Sequence, residues 1–274
     1  MSSIAACIVS YYSDDHLLTE TVRSLGKAAH HADVPTHLTL VDNTDDAVDS
    51  PRLQKLLASW QSWLPDTPHL QVTLLATRNN GGYGAGNNAA LGTVKDAYVL
   101  VLNPDAVLEE AALSQALQQL ASHPACSMLA PRALDAQGHD LMLGHAYPSV
   151  LALAGRAVPA LRRWPVVTRA MARYELRALD PAQAHEQIVC ASGCFMLIPA
   201  AHWREANGFD TGYFLYFEDY DLSIRLRRRG PVLYAPQVRL RHMGGDASGK
   251  GWRHTWLFIS SAARFFRQHG LRWS

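Results

Sequence analysis

Acidic side chains concentrate in one short stretch, directly after an aromatic run. Glu218, Asp219 and Asp221 fall within four residues of one another. The dipole at the start of a helix favours ionised carboxylates, and an ionised carboxylate in a cleft can deprotonate a hydroxyl group. We therefore predict a catalytic base in the Glu218-Asp219 pair, with a solvated helix cap as the alternative. Asp221 and Arg225, one helical turn apart, are expected to pair as structural support.

A second acidic site follows a buried apolar run. Asn103, Pro104 and Asp105 come directly after the run from Val99 to Leu102. A carboxylate at the end of a buried strand can hold a divalent cation that bridges nucleotide phosphates and neutralises a departing diphosphate. The sequence thus predicts a Mg²⁺ or Mn²⁺ site at Asp105. An ordinary turn that caps the next helix is the competing interpretation.

The segment from Asn79 to Asn88 is rich in glycine, with four glycines in six residues. Such a backbone can approach a ligand closely, and the helix that follows offers its N-terminal NH groups to a diphosphate. Gly84 to Ala89 also fits the G-x-G-x-x-A dinucleotide fingerprint. In that fingerprint the first glycine follows the strand almost at once, whereas here Arg78 to Tyr83 intervene, which disfavours an NAD(P)-dependent oxidoreductase.

His242 is the remaining candidate for chemistry. It precedes two glycines at the end of a predicted strand, in the run from Arg241 to Asp246. Histidine is the commonest transition-metal ligand, and glycines leave room for a mobile loop. Most single histidines have a structural role, so His242 by itself identifies no site.

The segments that must position these residues alternate between apolar runs and longer stretches of helical composition, as in a parallel sheet covered by helices. The predicted strands of the first half are Ile4 to Ser10, His37 to Val41, Val72 to Ala76, Tyr98 to Leu102 and Ser127 to Pro131. The predicted helices are Asp15 to His31, Pro51 to Trp63, Gly84 to Lys95 and Leu108 to Ser122, with Asp14 or Asp15 capping the first.

The pattern loosens from Pro131 to Glu186 and then returns. The later predictions are a strand from Ile188 to Ile198, a short helix after Pro199, a helix from Asp219 to Arg229, strands at Val232 to Tyr234 and Val238 to Arg241, and a helix from Trp252 to His269. Ligands of open parallel sheets bind beyond the carboxyl ends of the strands, where Ser10, Tyr11 and Asp42 stand.

Composition limits the function classes. The chain has 274 residues, 48% of them apolar, and 25 basic against 24 acidic residues, so no overall field favours nucleic acid. Four scattered cysteines indicate reduced core thiols rather than a disulfide scaffold. The N-terminal run predicts a buried strand rather than a signal peptide, and no stretch is long and apolar enough to span a bilayer. We expect a soluble cytoplasmic protein with a single domain.

Taken together and in this order, the motifs resemble those of family-2 inverting glycosyltransferases of GT-A fold, and most of all bacterial rhamnosyltransferases that build O-antigen, lipopolysaccharide and other surface polysaccharides. The resemblance covers most of the chain outside Leu134 to Ala184 and the C-terminal helix. Its motifs are Ile8-Val-Ser-Tyr, Val41-Asp-Asn, Arg78 to Asn88, Leu102-Asn-Pro-Asp, Gly193-Cys-Phe-Met, Phe217-Glu-Asp-Tyr-Asp-Leu and His242.

The resemblance implies an α/β fold of the nucleotide-diphospho-sugar transferase type. A mostly parallel central sheet is flanked by helices, with a smaller acceptor-side region. Residues 1–131 would form the nucleotide-binding half, and residues 132–274 the acceptor-binding half with the C-terminal helix. The donor would be bound by Ser10, Tyr11, Asp42, Asn80, Gly82, Asn87, Asn103 and Asp105.

The resemblance also implies catalytic roles. Asp219 would deprotonate the acceptor hydroxyl and Glu218 would support it, while Asp105 and His242 would bind the metal. Asn103 stands where the family's metal motif usually has aspartate, which puts metal dependence in doubt. A catalytically silent nucleotide-sugar binding protein is the remaining alternative.

The resemblance favours dTDP-L-rhamnose as donor, with UDP-sugars next, and a saccharide or lipid-linked acceptor at the inner membrane face. The segment from Leu151 to Arg177, with six arginines and one acidic residue, suits an anionic lipid surface. Aromatic residues of the last helix are further candidates for membrane contact: Trp252, Trp256, Phe258, Phe265 and Phe266. A solvated basic face and an ordinary packed helix are the alternatives.

Overall fold

The computed structural model describes residues 2–45, 51–77, 79–244 and 252–274. The first half of the chain alternates strands and helices as predicted. Its elements are β1 (Ile4–Ser10), α1 (Asp15–His31), β2 (Thr36–Asp42), α2 (Arg52–Trp60), β3 (Leu70–Ala76), α3 (Tyr83–Leu91), β4 (Tyr98–Leu102), β5 (Ala106–Leu108), α4 (Ala112–Ser122) and β6 (Met128–Leu134). The side chain of Asp14 caps α1 by accepting from the NH groups of His16 and Leu17.

The second half is less regular. It consists of β7 (Asp140–Leu141), β8 (Gly144–His145), α5 (Val150–Ala157), a 3₁₀ turn (Pro159–Arg163), α6 (Pro165–Tyr174), β9 (His185–Ile188), β10 (Cys190–Ala191), β11 (Phe195–Pro199), α7 (Ala200–Ala206), α8 (Glu218–Arg227), β12 (Val232–His242) and α9 (Trp252–His269). Ser149 caps α5 by accepting from the NH group of Ala152.

The main sheet has the strand order β3-β2-β1-β4-β11-β6-β12-β5. The strands β3, β2, β1 and β4 run parallel, β11 is antiparallel to both its neighbours, and β12 is parallel to β6. Alternate residues of β1 enter two different cores, one formed with α1 and α4 and the other with α3, α7 and α8. Burial on both faces explains why this strand is continuously apolar in sequence.

Three sequence predictions need correction. The run from Ile188 to Ile198 is not one strand, because the chain turns at Ser192 to Cys194 between β10 and β11. The two strands predicted near Val232 and Val238 form the single strand β12, whose pairing with β6 shifts register between Ala235 and Arg239. The helix predicted from Leu108 begins instead at Ala112, since β5 pairs with the end of β12.

Helix α9 packs beside α8 through a buried carboxylate. His269 Nε2 lies 2.8 Å from one oxygen of Asp221, and Arg225 lies 2.7 Å from the other. The predicted pair of Asp221 and Arg225 is therefore confirmed, with a histidine partner that spacing could not reveal. Since Asp221 is 2% exposed, its two partners compensate its buried charge and fix α9 against α8.

The aromatic residues of α9 divide between the core and the surface. Phe265 is completely buried, so it cannot contact a membrane, and Phe258 and Phe266 are partly buried in the same cluster. Trp252 and Trp256 remain exposed, at 80% and 59%. Among the described helices, none is both long and apolar enough to cross a bilayer. All four cysteines are buried and unpaired, as predicted.

Candidate active site

The ends of β1 and β2 place Ser10 and Asp42 side by side, as partners in the parallel register. Asp42 is 2% exposed, and one of its oxygens accepts from the NH and hydroxyl groups of Thr44 at 3.1 and 2.6 Å. The Ser10 hydroxyl is buried and has no hydrogen-bond partner in the described chain. Tyr11 is exposed, with its hydroxyl 3.3 Å from Asp45. Ser10 and Asp42 are thus close together at this edge of the sheet.

The loop before α3 is held by an amide that the sequence analysis missed. Asn43 donates to the side-chain oxygen of Asn80 at 2.9 Å and to the carbonyl of Gly82 at 3.2 Å. The NH group of Gly82 donates to the same Asn80 oxygen at 3.0 Å. The oxygen of Asn80 therefore stabilises the loop. Asn43 ends the motif Val41-Asp-Asn, and its place in that motif was its signal in the sequence.

Asn87 lies inside α3, where this helix packs on β1. Its amide NH₂ group donates to the carbonyl of Tyr83 at 3.0 Å, while its carbonyl oxygen is buried and without a partner in the described residues. Gly86 permits the close packing, because a Cβ there would lie 3.0 Å from the methyl groups of Val9. The carbonyl oxygen of Asn87 can therefore accept a further hydrogen bond. Leaving such a buried acceptor unsatisfied costs about 1–3 kcal/mol.

Tyr83 joins the end of β4 to the start of α8. Its hydroxyl donates to the carbonyl of Gly193 at 2.8 Å and lies 3.0 Å from the side-chain oxygen of Asn103. The NH group of Gly193 donates to Asp219 Oδ2 at 3.0 Å. Tyr83 and Gly193 therefore connect Asn103 to Asp219, although Asn103 and Asp219 are far apart in sequence. The sequence analysis assigned no role to Tyr83 or Gly193.

Asp105 and His242 meet where β5 pairs with the end of β12. Asp105 Oδ1 lies 3.2 Å from His242 Nε2, without the alignment of a hydrogen bond, and both Asp105 Oδ1 and His242 Nδ1 are buried without hydrogen-bond partners in the described residues. Gly244 closes the site, because a Cβ there would overlap Asp105 Oδ2. The predicted Asp246 lies outside the described residues.

These features fit a divalent cation held by two side chains. Two ligands at right angles on an octahedral ion, each about 2.1 Å from it, are about 3 Å apart. Asp105 Oδ1 and His242 Nε2 are 3.2 Å apart, which is close to that distance. The described residues contain no group of three or more His, Cys, Asp or Glu that could hold a metal ion. Asn103 cannot easily complete the set, because its oxygen faces the Tyr83 hydroxyl. A bound substrate or water can supply further ligands.

The two carboxyl groups at the start of α8 differ in environment. Glu218 is 4% exposed, and burial together with the charge of Asp219 holds its pKa well above the usual range. Asp219 is half-buried; burial raises its pKa to about 6, opposed by hydrogen bonds from the NH groups of Gly193 and Tyr220. For Glu218, desolvation opposes the helix dipole and favours the protonated form, against the expectation that the dipole stabilises both groups as ions.

The turn that delivers these carboxyls is strained. Tyr216 and Phe217 both have left-handed backbone conformations, with φ of 69° and 65°, which cost roughly 1–3 kcal/mol each in non-glycine residues. Helix α9 supports the turn: Ser261 donates to the carbonyl of Leu215 at 2.8 Å, and His254 lies 3.1 Å from the Tyr216 hydroxyl. The position of Asp219 thus depends on a helix far along the chain.

The comparison with known families agrees with this geometry. The sequence profile of the family described as "Glycosyltransferase like family 2" matches residues 2–273. The chain belongs to this glycosyltransferase family. As a family-2 glycosyltransferase it is a hexosyl-transferring enzyme, and the dinucleotide-dependent oxidoreductase is not favoured.

Two relatives of this glycosyltransferase have names that specify the sugar. It is 25% identical to the N-acetylglucosaminyl-diphospho-decaprenol L-rhamnosyltransferase of Mycobacterium tuberculosis, over 100% of this chain and 90% of the relative. It is 30% identical to the rhamnosyltransferase WbbL of Escherichia coli, over 59% of this chain and 60% of the relative. The expected resemblance to bacterial rhamnosyltransferases is thus confirmed.

Solved glycosyltransferases share the GT-A fold predicted from the resemblance. The structure of GalNAc-T7 with UDP, GalNAc and Mn²⁺ superposes with a TM-score of 0.66 at 14% identity, covering 97% of this chain and 48% of that one. This glycosyltransferase therefore spans about half the length of that neighbour. The Pyrobaculum calidifontis mannosyltransferase PcManGT, with GDP-Man and Mn²⁺, gives a TM-score of 0.57 at 16% identity, covering 97% of this chain and 62% of that one. Both neighbours contain Mn²⁺, which supports a divalent metal in this fold.

Proposed function

We propose that this glycosyltransferase moves L-rhamnose from a nucleotide-diphosphate donor to a saccharide or lipid-linked acceptor, with inversion, in the synthesis of a cell-surface polysaccharide such as O-antigen or lipopolysaccharide. The observation that carries the proposal is the connection from Asn103 through Tyr83 and Gly193 to Asp219. These contacts run from the end of β4 to the carboxylate of Asp219, which supports a common site for the donor and the base. The names of the two rhamnosyltransferase relatives support the choice of sugar.

The donor is bound along the carboxyl ends of the parallel strands. Asp42, fixed by Thr44, accepts from a ring NH of the base, and the unpartnered Ser10 hydroxyl and Asn87 oxygen supply further polar contacts. The backbone at Gly82 and Asn80 lines the same pocket, which Tyr11 borders from the exposed side. A thymine or uracil ring suits this set, since both rings carry an NH that a carboxylate can accept from.

Asp105 and His242 would hold the divalent cation at the donor diphosphate. When bound, Mg²⁺ or Mn²⁺ supplies charge neutralisation for the leaving diphosphate. Asn103 contributes no charge, so Asp105 is the one carboxylate that the described residues provide to this site. We therefore expect the metal to bind weakly without the nucleotide and more strongly with it.

Asp219 removes the proton of the acceptor hydroxyl as the hydroxyl oxygen attacks the anomeric carbon, and the bond from that carbon to the diphosphate breaks on the opposite face. Two backbone NH groups hold the carboxylate of Asp219 in place for this attack. Glu218, whose pKa is raised by burial and by the charge of Asp219, supports Asp219. Positioning and proton removal are both contributed by residues at the start of α8.

A lipid-linked acceptor would place the enzyme at the cytoplasmic face of the inner membrane. The relative in M. tuberculosis is named for such an acceptor, a diphospho-decaprenol carrier. In this chain the segment from Val158 to Arg173 exposes Trp164 and Val166, at 55% and 50%, among several arginines. Exposed tryptophan with nearby arginine suits the interface of an anionic bilayer.

Ligand-induced thermal stabilisation tests the donor assignment. A ligand that binds only the folded state raises its melting temperature. We expect dTDP-L-rhamnose to stabilise the protein more than UDP- or GDP-sugars, and Mn²⁺ to increase the effect. Asp105→Ala should remove the increase caused by Mn²⁺ and leave the metal-free shift nearly unchanged. A panel in which no nucleotide sugar stabilises the wild-type protein would contradict the proposal.

The pH dependence of transfer tests the base. Asp219 acts when ionised, and its pKa is raised to about 6, so turnover should fall as pH drops through about 6 and level off above about 7. An unshifted aspartate would hold its activity down to about pH 4. Initial rates between pH 4.5 and 8, with the melting temperature followed in parallel, separate titration of the base from acid unfolding.

A further inference from the structure

A cavity of 830 Å³ lies away from the donor edge, beneath α6 and beside the inner strands β6 and β12. Four arginines line it: Arg132, Arg156, Arg162 and Arg177. The cavity also contains two carboxylates, and each is paired with one arginine. Asp140 lies 2.9 Å from Arg132, and Glu175 lies 2.6 Å from Arg177.

The other two arginines retain their charge toward the cavity. Arg156 and Arg162 form no ion pair with any carboxylate of the described residues. Arg162 donates to the carbonyl of Gly155 at 2.9 Å, and Arg156 makes two long contacts of 3.4 Å to His145 and Tyr174. Four arginines against two carboxylates leave an excess of two positive charges, which attracts an anion.

His145 adds an unsatisfied donor to the same cavity. Its side chain is nine-tenths buried, and burial together with the charge of Arg156 lowers its pKa to about 3, so the ring is neutral. A guanidinium group only donates, so the Nε2 atom that faces Arg156 is the acceptor and the proton is on Nδ1. Nδ1 has no partner in the described chain. An NH group without a partner can donate a hydrogen bond to an oxygen atom of a ligand.

Three apolar side chains close to Arg162 along the chain are exposed. Val158, Trp164 and Val166 flank Arg162 in the same turn and helix and are 47%, 55% and 50% exposed. We propose that the cavity is a second ligand site, which binds the phosphate or diphosphate group of an amphiphilic molecule on Arg156, Arg162 and His145. The apolar part of the ligand lies along the exposed side chains. Arginine is well suited to phosphate because its planar donors bind two oxygens at once.

The cavity is separate from the donor edge of the sheet. A ligand could therefore bind in it even if the enzyme did not carry out the proposed rhamnosyl transfer. His145 packs against the rings of Tyr174 and Tyr220, at centroid distances of 4.6 and 6.0 Å, so these rings lie between the cavity and Asp219. The binding test therefore needs no sugar donor or acceptor, and a failed transfer assay would leave its result unaffected.

Calorimetric titration with inorganic pyrophosphate and with geranyl diphosphate tests the proposal. Both are titrated in EDTA, so that no divalent cation links the probe to Asp105. Arg156→Gln should weaken binding on the order of tenfold. His145→Phe, which keeps the ring packing, should weaken it less, and Arg169→Gln on the exposed face of α6 should match the wild-type protein.

The two probes distinguish the source of the phosphate. Tighter binding of geranyl diphosphate, reduced to the level of pyrophosphate by Trp164→Ser, would show that the site takes a lipid-borne phosphate. Equal binding of both probes, still sensitive to Arg156→Gln, would show a site for free phosphate groups. Absence of binding to the wild-type protein, or binding that Arg156→Gln and His145→Phe leave unchanged, would overturn the proposal.

Discussion

Asp219→Asn should lower sugar transfer by about 10²- to 10⁴-fold, the usual contribution of a general base, while nucleotide affinity changes only a few-fold. The amide keeps the shape and one acceptor oxygen for the NH group of Gly193, so the fold around the start of α8 should persist. It cannot accept the proton of the hydroxyl. Steady-state transfer rates and a nucleotide titration on the same preparation measure the two effects separately.

Glu218→Gln is the matched control for that substitution. Burial and the charge of Asp219 raise the pKa of Glu218, which favours its protonated form, and the amide resembles that form. We expect at most a several-fold loss of activity. Equal losses in the two variants would mean that Asp219 does not act alone as the base. Unchanged turnover in Asp219→Asn would refute its role as the base. Absence of transfer by the wild-type protein, with nucleotide binding intact, would favour a catalytically silent binding protein.

Gly82→Ala should nearly abolish transfer and lower the free energy of unfolding by about 3 kcal/mol. Gly82 has φ of 91°, and a Cβ at this position would overlap the carbonyl of Phe214. That carbonyl accepts from the NH group of Tyr83 at 3.1 Å, so the clash would separate α3 from the aromatic turn before Asp219. Chemical denaturation and initial rates would show both losses.

Gly138→Ala is the control for Gly82→Ala, because it introduces backbone strain without steric overlap of the new Cβ atom. Gly138 also has positive φ, 85°, but nothing lies within 4 Å of its would-be Cβ. Its substitution should cost about 1–2 kcal/mol from backbone conformation alone and leave activity intact. If Gly82→Ala behaved like Gly138→Ala, with normal activity, the contact between the glycine loop and Phe214 would have no catalytic importance.

Most of the fold on the donor side was predictable from local sequence. Strands such as Ile4–Ser10 and Tyr98–Leu102 and the helix Asp15–His31 begin and end where predicted, because continuous apolar runs, a capping aspartate and helical periodicity act over short distances. The errors fall where pairing with a distant strand decides the structure. Residues 106–108 form β5 because β12 pairs with them, and no local pattern contains that information.

The candidate site was also predictable from the sequence only in part. The sequence by itself determined which residue types could do chemistry, because Asp42, Asp105 and Asp219 each stand at the end of a strand or the start of a helix. Only the tertiary structure decided how they act. Tyr83, Gly193 and Ser261 connect or hold these groups through hydrogen bonds across distant segments, and burial raises the pKa of Glu218. Such effects arise from desolvation and long-range contacts, which spacing along a chain does not encode.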